Sequence, residues 1–582
     1  MNSVPLDSEQ QTAVETQSER ALVIAAAGSG KTRTLIERIA YLVEEQQTSP
    51  YEIMSFSFTR KASGEIRTRL VDRIGNKAYH CSLGTMHSIA LRMIQRFGDV
   101  IGLKTKQITV YGDWESEYLL KDVAMSLGLH NGKGWKKIKK GDIDKVFDHY
   151  YATGEEPDEL NPVRDLFVSF IARCKENNSM TYGGLLTGLR LLIPTMAKYL
   201  TIKHILVDEI QDIDPLQWSI IREMETAFGA SLFVVGDLDQ SIFEFRGAVP
   251  KYLLEHQNEF DIYRLSFNYR SRASIVEAAN KLIANNIDRL PMTMVATRED
   301  GNCYPDPIKI NNVRIFKNMD SEAIVKMLVS GNSSTVLARN HALLIRLSEL
   351  LEEAHIEHRY IGKETALTNS EEFRRFHAFL KLIVNPFDNF AFLLIKDIVG
   401  LSASDYAEIR HSATRDGTTH FQVWHENEER EWPKPDRSLA GVIKEMLTLC
   451  EWPFNINPIL DFIKKFIESA KNDVSISQYL DWLAVVDVQD EMKEDYEGIT
   501  LMTIHACKGL EFDTVIVAGC NEEILPSKQA IRNGEIESER RLFYVAMTRA
   551  KDSLILTIRP EAKEINGRMY ANPISRFIGE LT

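Results

Sequence analysis

Seven short apolar runs, each ending in polar residues, constrain the fold of this chain more than any other feature. They are Leu22–Ala26, Ile53–Phe58, Ile205–Val207, Leu232–Val235, Thr335–Ala338, Val515–Ala518 and Leu554–Leu556. Runs this short, several of them β-branched, read as strands of a parallel sheet covered on both faces. Helical patterns separate several of them: Leu35, Ile36, Ile39, Ala40, Leu42 and Val43 share one face at 3.6 spacing. Strand–helix alternation of this kind predicts α/β layers. Two stretches break the rhythm, about 88–195 and about 376–490, and both are mostly helical in pattern. The expected architecture is two α/β domains, each interrupted by a mostly helical insertion. HENEEREWPKPDR reads as an exposed loop, and the Pro/Gly/Asn-rich Cys303–Asn312 as a connector. No internal repeat or low-complexity tract is apparent.

Composition removes several classes of function. Of 582 residues, 44% are hydrophobic and 26% charged, the balance of globular protein rather than of a disordered chain. No apolar run approaches the ~18–20 residues that span a bilayer. The start, MNSVPLDSEQQTAVE, lacks a basic segment followed by an apolar one, so a secretory signal is not expected. Six scattered cysteines (Cys81, Cys174, Cys303, Cys450, Cys507, Cys520) form no CxxC or Cys/His cluster, which argues against a disulfide scaffold, a zinc module or an iron–sulfur site. A reduced, cytoplasmic setting with no membrane is the expectation. The formal charge, 69 − 83 = −14, argues weakly against nucleic-acid binding. Locally, KGWKKIKKGDIDK (Lys133–Lys145) packs six lysines around Trp135. Composition alone reads it as a solvated face; a contact to a phosphate backbone is the sharper alternative.

The chemistry begins at Ala25-Ala26-Ala27-Gly28-Ser29-Gly30-Lys31-Thr32, which follows the first strand and opens the first long helix. That context makes it a P-loop, although its first glycine is replaced by Ala25. Glycines let successive backbone N–H groups curl around phosphate oxygens, and the helix N-terminus adds partial positive charge. Lys31 would reach the β/γ-phosphates and Thr32 would ligate Mg²⁺. Ile205-Leu206-Val207-Asp208-Glu209 is an apolar strand ending in adjacent carboxylates. Asp208 fits a Mg²⁺-associated role, and Glu209 the group that orients or deprotonates an attacking water. These two features define a nucleoside triphosphatase that uses ATP or another triphosphate; kinases and GTPases share them.

Further motifs narrow the class. Gln211 and Asp212 complete DEIQD, and then come VGDLDQSIF (Val235–Phe243), FRGA (Phe245–Ala248) and NYRS (Asn268–Ser271). Downstream stand TIHACKGLEF (Thr503–Phe512) and RLFYVAMTRA (Arg541–Ala550); upstream are FTRKA (Phe58–Ala62) and GTMHS (Gly84–Ser88). In this order, from about Leu6 to Lys551, they resemble superfamily 1 DNA helicases of the UvrD/Rep/PcrA type. The resemblance implies two RecA-like domains: 1A at 1–86 and 196–268, and 2A at 269–375 and 491–582. The helical insertions are then 1B at 87–195 and 2B, shortened relative to UvrD and Rep, at 376–490.

The resemblance also implies roles. Gln10 reads the adenine edge, Tyr269 stacks on the ring, and Ala27, Gly28, Ser29, Gly30, Lys31, Thr32 and Arg33 surround the phosphates. Gln240 senses the γ-phosphate, Arg270 and Arg549 act as arginine fingers, and Glu511 contacts the ribose. Phe58, Thr59, His87, Phe243, Phe245 and Arg246 line a single-strand DNA path. Relatives such as UvrD carry Trp where Phe245 stands, and Glu244 replaces a small or basic residue. The implied activity is a DNA-stimulated ATPase, with ATP and Mg²⁺, moving 3′ to 5′ on single-stranded and tailed duplex DNA in repair, recombination or replication. Two other readings remain open: a translocase without strong unwinding, or a helicase subunit serving a nuclease or phage-defence partner. A P-loop kinase or GTPase explains neither NYRS nor VAMTRA. His355 and His358, i and i+3 in what reads as a helix end, lack a third metal ligand, and Met292 and Met294 read as packing residues.

Overall fold

Apolar strands dictate how the chain divides. In the computed structural model, Met1–Thr85, Thr201–Lys363 and Asp487–Thr582 form one compact unit, and Met86–Leu200 with Glu364–Val486 a second. The residues described are 5–105, 107–242, 250–300, 313–329, 334–361, 367–368, 370–428, 431–470, 474–484, 496, 498–560, 562–565, 568–571 and 573–581. The expected connector 303–312 lies outside them, as do Phe243, Phe245 and Arg246 of the expected DNA path.

The first unit holds two six-stranded parallel sheets. One contains β1 (Arg20–Ala25), β2 (Ile53–Ser57), β3 (Ser82–Thr85), β4 (His204–Val207), β5 (Ser231–Gly236) and β6 (Asp261–Leu265) in the order β3-β2-β4-β5-β1-β6. Val23 of β1 lies against Val235 of β5 and Tyr263 of β6. The other contains β7 (Val313–Phe316), β8 (Thr335–Ala338), β9 (His358–Ile361), β10 (Ile499–Thr503), β11 (Phe512–Ala518) and β12 (Ala550–Thr557) in the order β7-β12-β11-β8-β10-β9. Each of the seven apolar runs supplies one of these strands. Leu35, Ile36, Ile39, Ala40, Leu42 and Val43, on the helix Lys31–Glu44, bury against Val23 and Val235 as their spacing predicts. Met294 is buried in the core of the second sheet and Met292 packs at its edge.

Two local expectations need correction. His355 and His358 do not share a helix end: His355 adopts φ 55° beyond the helix His341–Glu353, and His358 opens β9. There its Nδ1–H donates to the Ile356 carbonyl (3.0 Å) and its Nε2 accepts from the Ser348 hydroxyl (2.7 Å), so the ring serves the fold. HENEEREWPKPDR is not exposed throughout, because Trp432 stacks on Phe379 at 4.5 Å and Pro433 is buried. The broad apolar face of the indole favours packing on an aromatic ring even within a charged stretch.

The second unit is helical, with one parallel strand pair, Thr109–Tyr111 against Ser179–Thr181. Both insertions contribute to it, and their seam is polar as well as apolar. The Tyr111 hydroxyl donates to Asp388 (2.6 Å), Asn385 Nδ2 donates to Thr109 Oγ1 (2.9 Å), and Phe390 joins the core around Leu119 and Phe167. In the lysine-rich stretch Ile138 is buried and Trp135 packs on the same core, while Lys133, Lys136, Lys137 and Lys139 are exposed.

His377 lies at the centre of the second insertion's core. Its Nδ1–H donates to the Phe373 carbonyl (2.7 Å) and its Nε2 accepts from the Tyr479 hydroxyl (2.6 Å), which fixes a neutral tautomer. Burial pushes its pKa down to about 3, and pushes His87, His204 and His420 down to about 4. An unfolded histidine titrates near ~6.5, so these groups contribute full stability above that value and lose it as pH falls toward their folded pKa values. The unfolding free energy in denaturant should therefore decline between pH 7 and pH 5, by up to ~2 kcal/mol for His377 alone. An equal decline in a His377→Gln variant would contradict this assignment.

Candidate active site

At the C-terminal edge of the first sheet, β1 ends at Ala25 and the chain turns through Ala26–Gly30 into the helix Lys31–Glu44. Gly28 and Gly30 adopt φ 68° and 84°, a region open to glycine at little steric cost. Gly28 is also tightly overlaid: a Cβ there would lie 2.8 Å from Arg270 Cβ and 3.0 Å from Asn268 Nδ2. Those neighbours come from the strand Phe267–Arg272, which is tied to the loop by its backbone. The Tyr269 N–H donates to the Gly28 carbonyl (3.0 Å), and Asn268 Nδ2 donates to the Ala27 carbonyl (2.7 Å). Gln10 is buried and its Nε2 donates to the Ser29 carbonyl (2.9 Å). The Tyr269 ring is 44% exposed beside it, with its hydroxyl donating to Asp7 (2.6 Å).

Next along the edge, β4 ends at Val207 and delivers Asp208, whose Oδ2 accepts from the Thr32 hydroxyl at 3.4 Å. Glu209 follows at φ 51°, a strained conformation of the kind that clusters at functional sites. Burial and then the Glu209 charge push the Asp208 carboxyl up to about 7. Burial opposes ionisation of Glu209 too, but Lys31, Lys508 and Arg549 outweigh it and hold that carboxyl below the usual range. One acid is thus a ready anion, while at its neighbour the attraction of Lys31 is outweighed by burial and by the Glu209 charge.

A relay of side chains runs from Glu209 to the second sheet. Gln211 Nε2 donates to Glu209, and Gln211 Oε1 accepts from the Asp237 N–H (3.0 Å). Asp237 accepts from Gln240 Nε2 (2.6 Å), and Gln240 Oε1 accepts from Arg549 Nη2 (2.8 Å). Arg549 is fully buried beyond β11; burial and then the like charge of Arg270 push its pKa down to about 10. Arg270 donates to Glu511 (2.7 Å) and to the Thr548 carbonyl (3.2 Å), and Lys551 pairs with Glu511 at 3.1 Å. Glu511, expected at a ribose, here holds an arginine finger candidate.

Lys31, Glu209, Gln240, Arg270, Glu511 and Arg549 all face one cavity of about 1100 Å³. Thr32, Arg33, Asp208 and Tyr269 line it too. The expected DNA-path residues are less concentrated. Phe58 is half-buried against the core of the second sheet, and Thr59 caps the helix Arg60–Ile74 through the Ala62 N–H (3.1 Å). His87, in the other unit, stacks on Tyr182 at 4.0 Å. Sequence reading assigned no role to Asn268, Asp237, Lys508 or the Arg289–Asp239 pair (2.5 Å), all of which tie the site together. Asn268, Asp237, Asp239 and Lys508 stand in the sequence only as letters within the quoted motifs, and Arg289 lies outside all of them.

Fold and cleft together define a P-loop nucleoside triphosphatase whose cleft is also lined by Arg270 and Arg549 from outside the first sheet. The chain matches the UvrD/REP helicase N-terminal domain over residues 6–261 and the UvrD-like helicase C-terminal domain over residues 263–409 and 453–561. It belongs to the UvrD-like helicase family. It is 28% identical over 653 residues to the ATP-dependent DNA helicase PcrA of Bacillus subtilis, spanning 99% of this chain and 85% of that one. The PcrA proteins of Staphylococcus epidermidis and Staphylococcus aureus are 27% and 26% identical over 639 residues, each covering 99% of this chain and 86% of the relative.

Gly236, at the end of β5, tests the relay. A methyl group there would lie 2.4 Å from Gln211 Oε1 and 2.5 Å from Ile210 Cγ2, so the turn carrying Gln211 must move. Gly236→Ala should cost ~1–3 kcal/mol of stability, as overpacking does, and depress nucleotide turnover in the surviving folded protein. Denaturant unfolding with steady-state phosphate release checks both; wild-type values in both would refute the close packing.

Proposed function

We propose that the chain is an ATP-dependent DNA helicase that moves 3′ to 5′ along single-stranded DNA and separates tailed duplexes. The observation that carries this reading is the single cleft in which Lys31 and Glu209 face Arg270 and Arg549. Residues 1–86 and 196–268 would form the ATP-binding half and 269–375 with 491–582 its partner, with 87–195 and 376–490 as their insertions.

In this reading Gln10 and Tyr269 hold the adenine, by its edge and by stacking, while Ala27, Gly28, Ser29, Gly30 and Arg33 receive the phosphates with Lys31. Glu209, kept ionised by its cationic neighbours, orients and accepts a proton from the attacking water. Arg270 and Arg549 repel each other, so a γ-phosphate lying between them would relieve that repulsion. Gln240, already bonded to Arg549, reports that event to the turn beneath it. Glu511 would exchange Arg270 for the ribose as the arginine engages phosphate.

Thr32 and Asp208 fit a magnesium ion: both offer hard oxygen donors, and at the buried Asp208 carboxyl Lys31 alone does not offset burial and the Glu209 charge. Among the described residues no group of three or more His, Cys, Asp or Glu could hold a metal. The protein share of the coordination is therefore small, as expected where phosphates and water supply the rest. When bound, the ion supplies charge neutralisation on the phosphate oxygens.

Closure on the γ-phosphate and release after hydrolysis move the two halves through a cycle. Phe58, Thr59, His87, Phe243, Phe245 and Arg246 are proposed to track the strand, since aromatic stacking contributes ~1–3 kcal/mol per base irrespective of sequence. Opening a base-pair step costs ~1.4 kcal/mol on average, within the reach of one or two such contacts. No described helix is long and apolar enough to cross a membrane. A protein partner, such as a nuclease or a replication or repair factor, belongs to this proposal as well.

Lys31→Ala should abolish ATP turnover, and Arg549→Ala should lower it by ~10³–10⁵, the usual effect of removing an arginine finger. Wild-type protein should displace a strand from 3′-tailed but not 5′-tailed duplex when ATP is present. Streptavidin displacement without strand separation would favour the translocase alternative, and full turnover by the Lys31 variant would overturn the phosphate assignment.

A further inference from the structure

We propose, resting on the helicase reading, that Lys508 is a positioning residue whose ammonium pins the Glu209–Asp212 turn to the backbone of Gln240 and so couples ATP turnover to DNA. Lys508 extends from the segment after β10, just beyond the short turn His505–Cys507. Its Nζ lies 2.6 Å from both oxygens of Asp212 and donates to the Gln240 carbonyl at 2.7 Å. Lys508 is 9% exposed and the Asp212 side chain is 0% exposed, so the pair is shielded from solvent.

Its position gives that pair a role beyond packing. Asp212 closes the turn Ile210–Asp212 that begins at Glu209, the acid placed to handle water. Gln240 closes the turn Leu238–Gln240, and the chain continues from it toward Ser241, Ile242 and Phe243, where the DNA path is proposed. One ammonium from the second sheet therefore grips both catalytic turns of the first. Its second ligand is a backbone oxygen, so it fixes the path of the chain leaving Gln240 and not merely a side chain. The Arg549–Gln240 bond grasps the same residue by its side chain. When the cleft closes on phosphate, the arginine and the lysine move together, and the segment after Gln240 must follow.

Leaving Asp212 buried without its partner strands a carboxylate, whereas Lys508→Arg keeps the charge. Three measurements test the assignment: ATP turnover with and without single-stranded DNA, the KM for ATP, and affinity for a non-hydrolysable ATP analogue. Lys508→Met should lower the factor by which DNA accelerates turnover by about tenfold or more, within the usual range of coupling between two sites. KM and analogue affinity should stay near wild type, because Lys508 holds turns rather than nucleotide. Asp212→Asn, which keeps the shape and removes the charge, should lower the same factor, and Lys508→Arg should restore most of it. An unchanged DNA-stimulation factor in both Lys508→Met and Asp212→Asn would overturn the proposal, as would equal losses with and without DNA. Failure of DNA to stimulate the wild-type enzyme would instead sink the helicase reading beneath it. Analogue binding by each variant shows that it has folded.

Discussion

Two short turns at the C-terminal edge of the first sheet, Glu209–Asp212 and Asp237–Gln240, meet beside the cavity, and the side chains of Gln211, Lys508, Arg549 and Arg289 hold them. Gln211 bonds to Glu209 on one turn and to the Asp237 N–H on the other, so neither can move alone. Arg549 takes Gln240 by its amide oxygen, Lys508 takes Asp212 and the Gln240 carbonyl, and Arg289 takes Asp239 with two nitrogens. Gly236 permits this crowding because any side chain there would occupy the space of Gln211. The relay therefore ties both turns together beside the cavity that Lys31, Arg270 and Arg549 line.

Charge suits this site to an anionic ligand. Lys31, Arg270 and Arg549 face one cavity, and at its rim a single acid, Glu511, pairs with both Arg270 and Lys551. Burial lowers the pKa of Arg549 and raises those of Asp208, Asp212, Asp237 and Asp239, so charges of both signs are held against the cost of desolvation. Buried ion pairs of this kind seldom add net stability over well-packed apolar residues, because removing two ions from water offsets their attraction. What they do supply is a geometry with few alternatives, which a triphosphate and its cation can complete.

How much of this was legible follows from where each residue sits. Strands buried on both faces announce themselves as apolar runs, and all seven such runs are strands. Of the strands not read from sequence, β3, β6, β7 and β9 are sheet edges, where one flank is unpaired and polar residues are tolerated, as in Asp261-Ile262-Tyr263-Arg264-Leu265. The P-loop and the DE pair were readable because their chemistry fixes both residue type and local context. Asn268, Lys508 and Arg289 were not, since an amide or a cation has no local signature of a partner 50 to nearly 300 positions away. Trp432 was misread for the opposite reason: its neighbours are charged, and only the aromatic cluster around Phe379 shows why it turns inward.

The second unit shows the same division of labour between apolar and polar contacts. Phe390 of one insertion enters the core of the other beside Leu119 and Phe167, a burial that contributes ~1.5–3 kcal/mol. The Tyr111–Asp388 hydrogen bond offers ~1.5–3 kcal/mol if the carboxylate is charged, but Asp388 Oδ2 is buried without a hydrogen-bond partner, which costs a similar ~1–3 kcal/mol. That hydrogen bond is thus close to neutral in energy, while burial of the phenylalanine is a net gain. The hydrogen bonds decide register instead: Asn385 Nδ2 reaches Thr109 Oγ1 and the carbonyls of Asn177 and Asn178 at once, and a shift of one residue along either strand would break all three. Apolar surface joins the two insertions, and an amide with three acceptors sets where they meet.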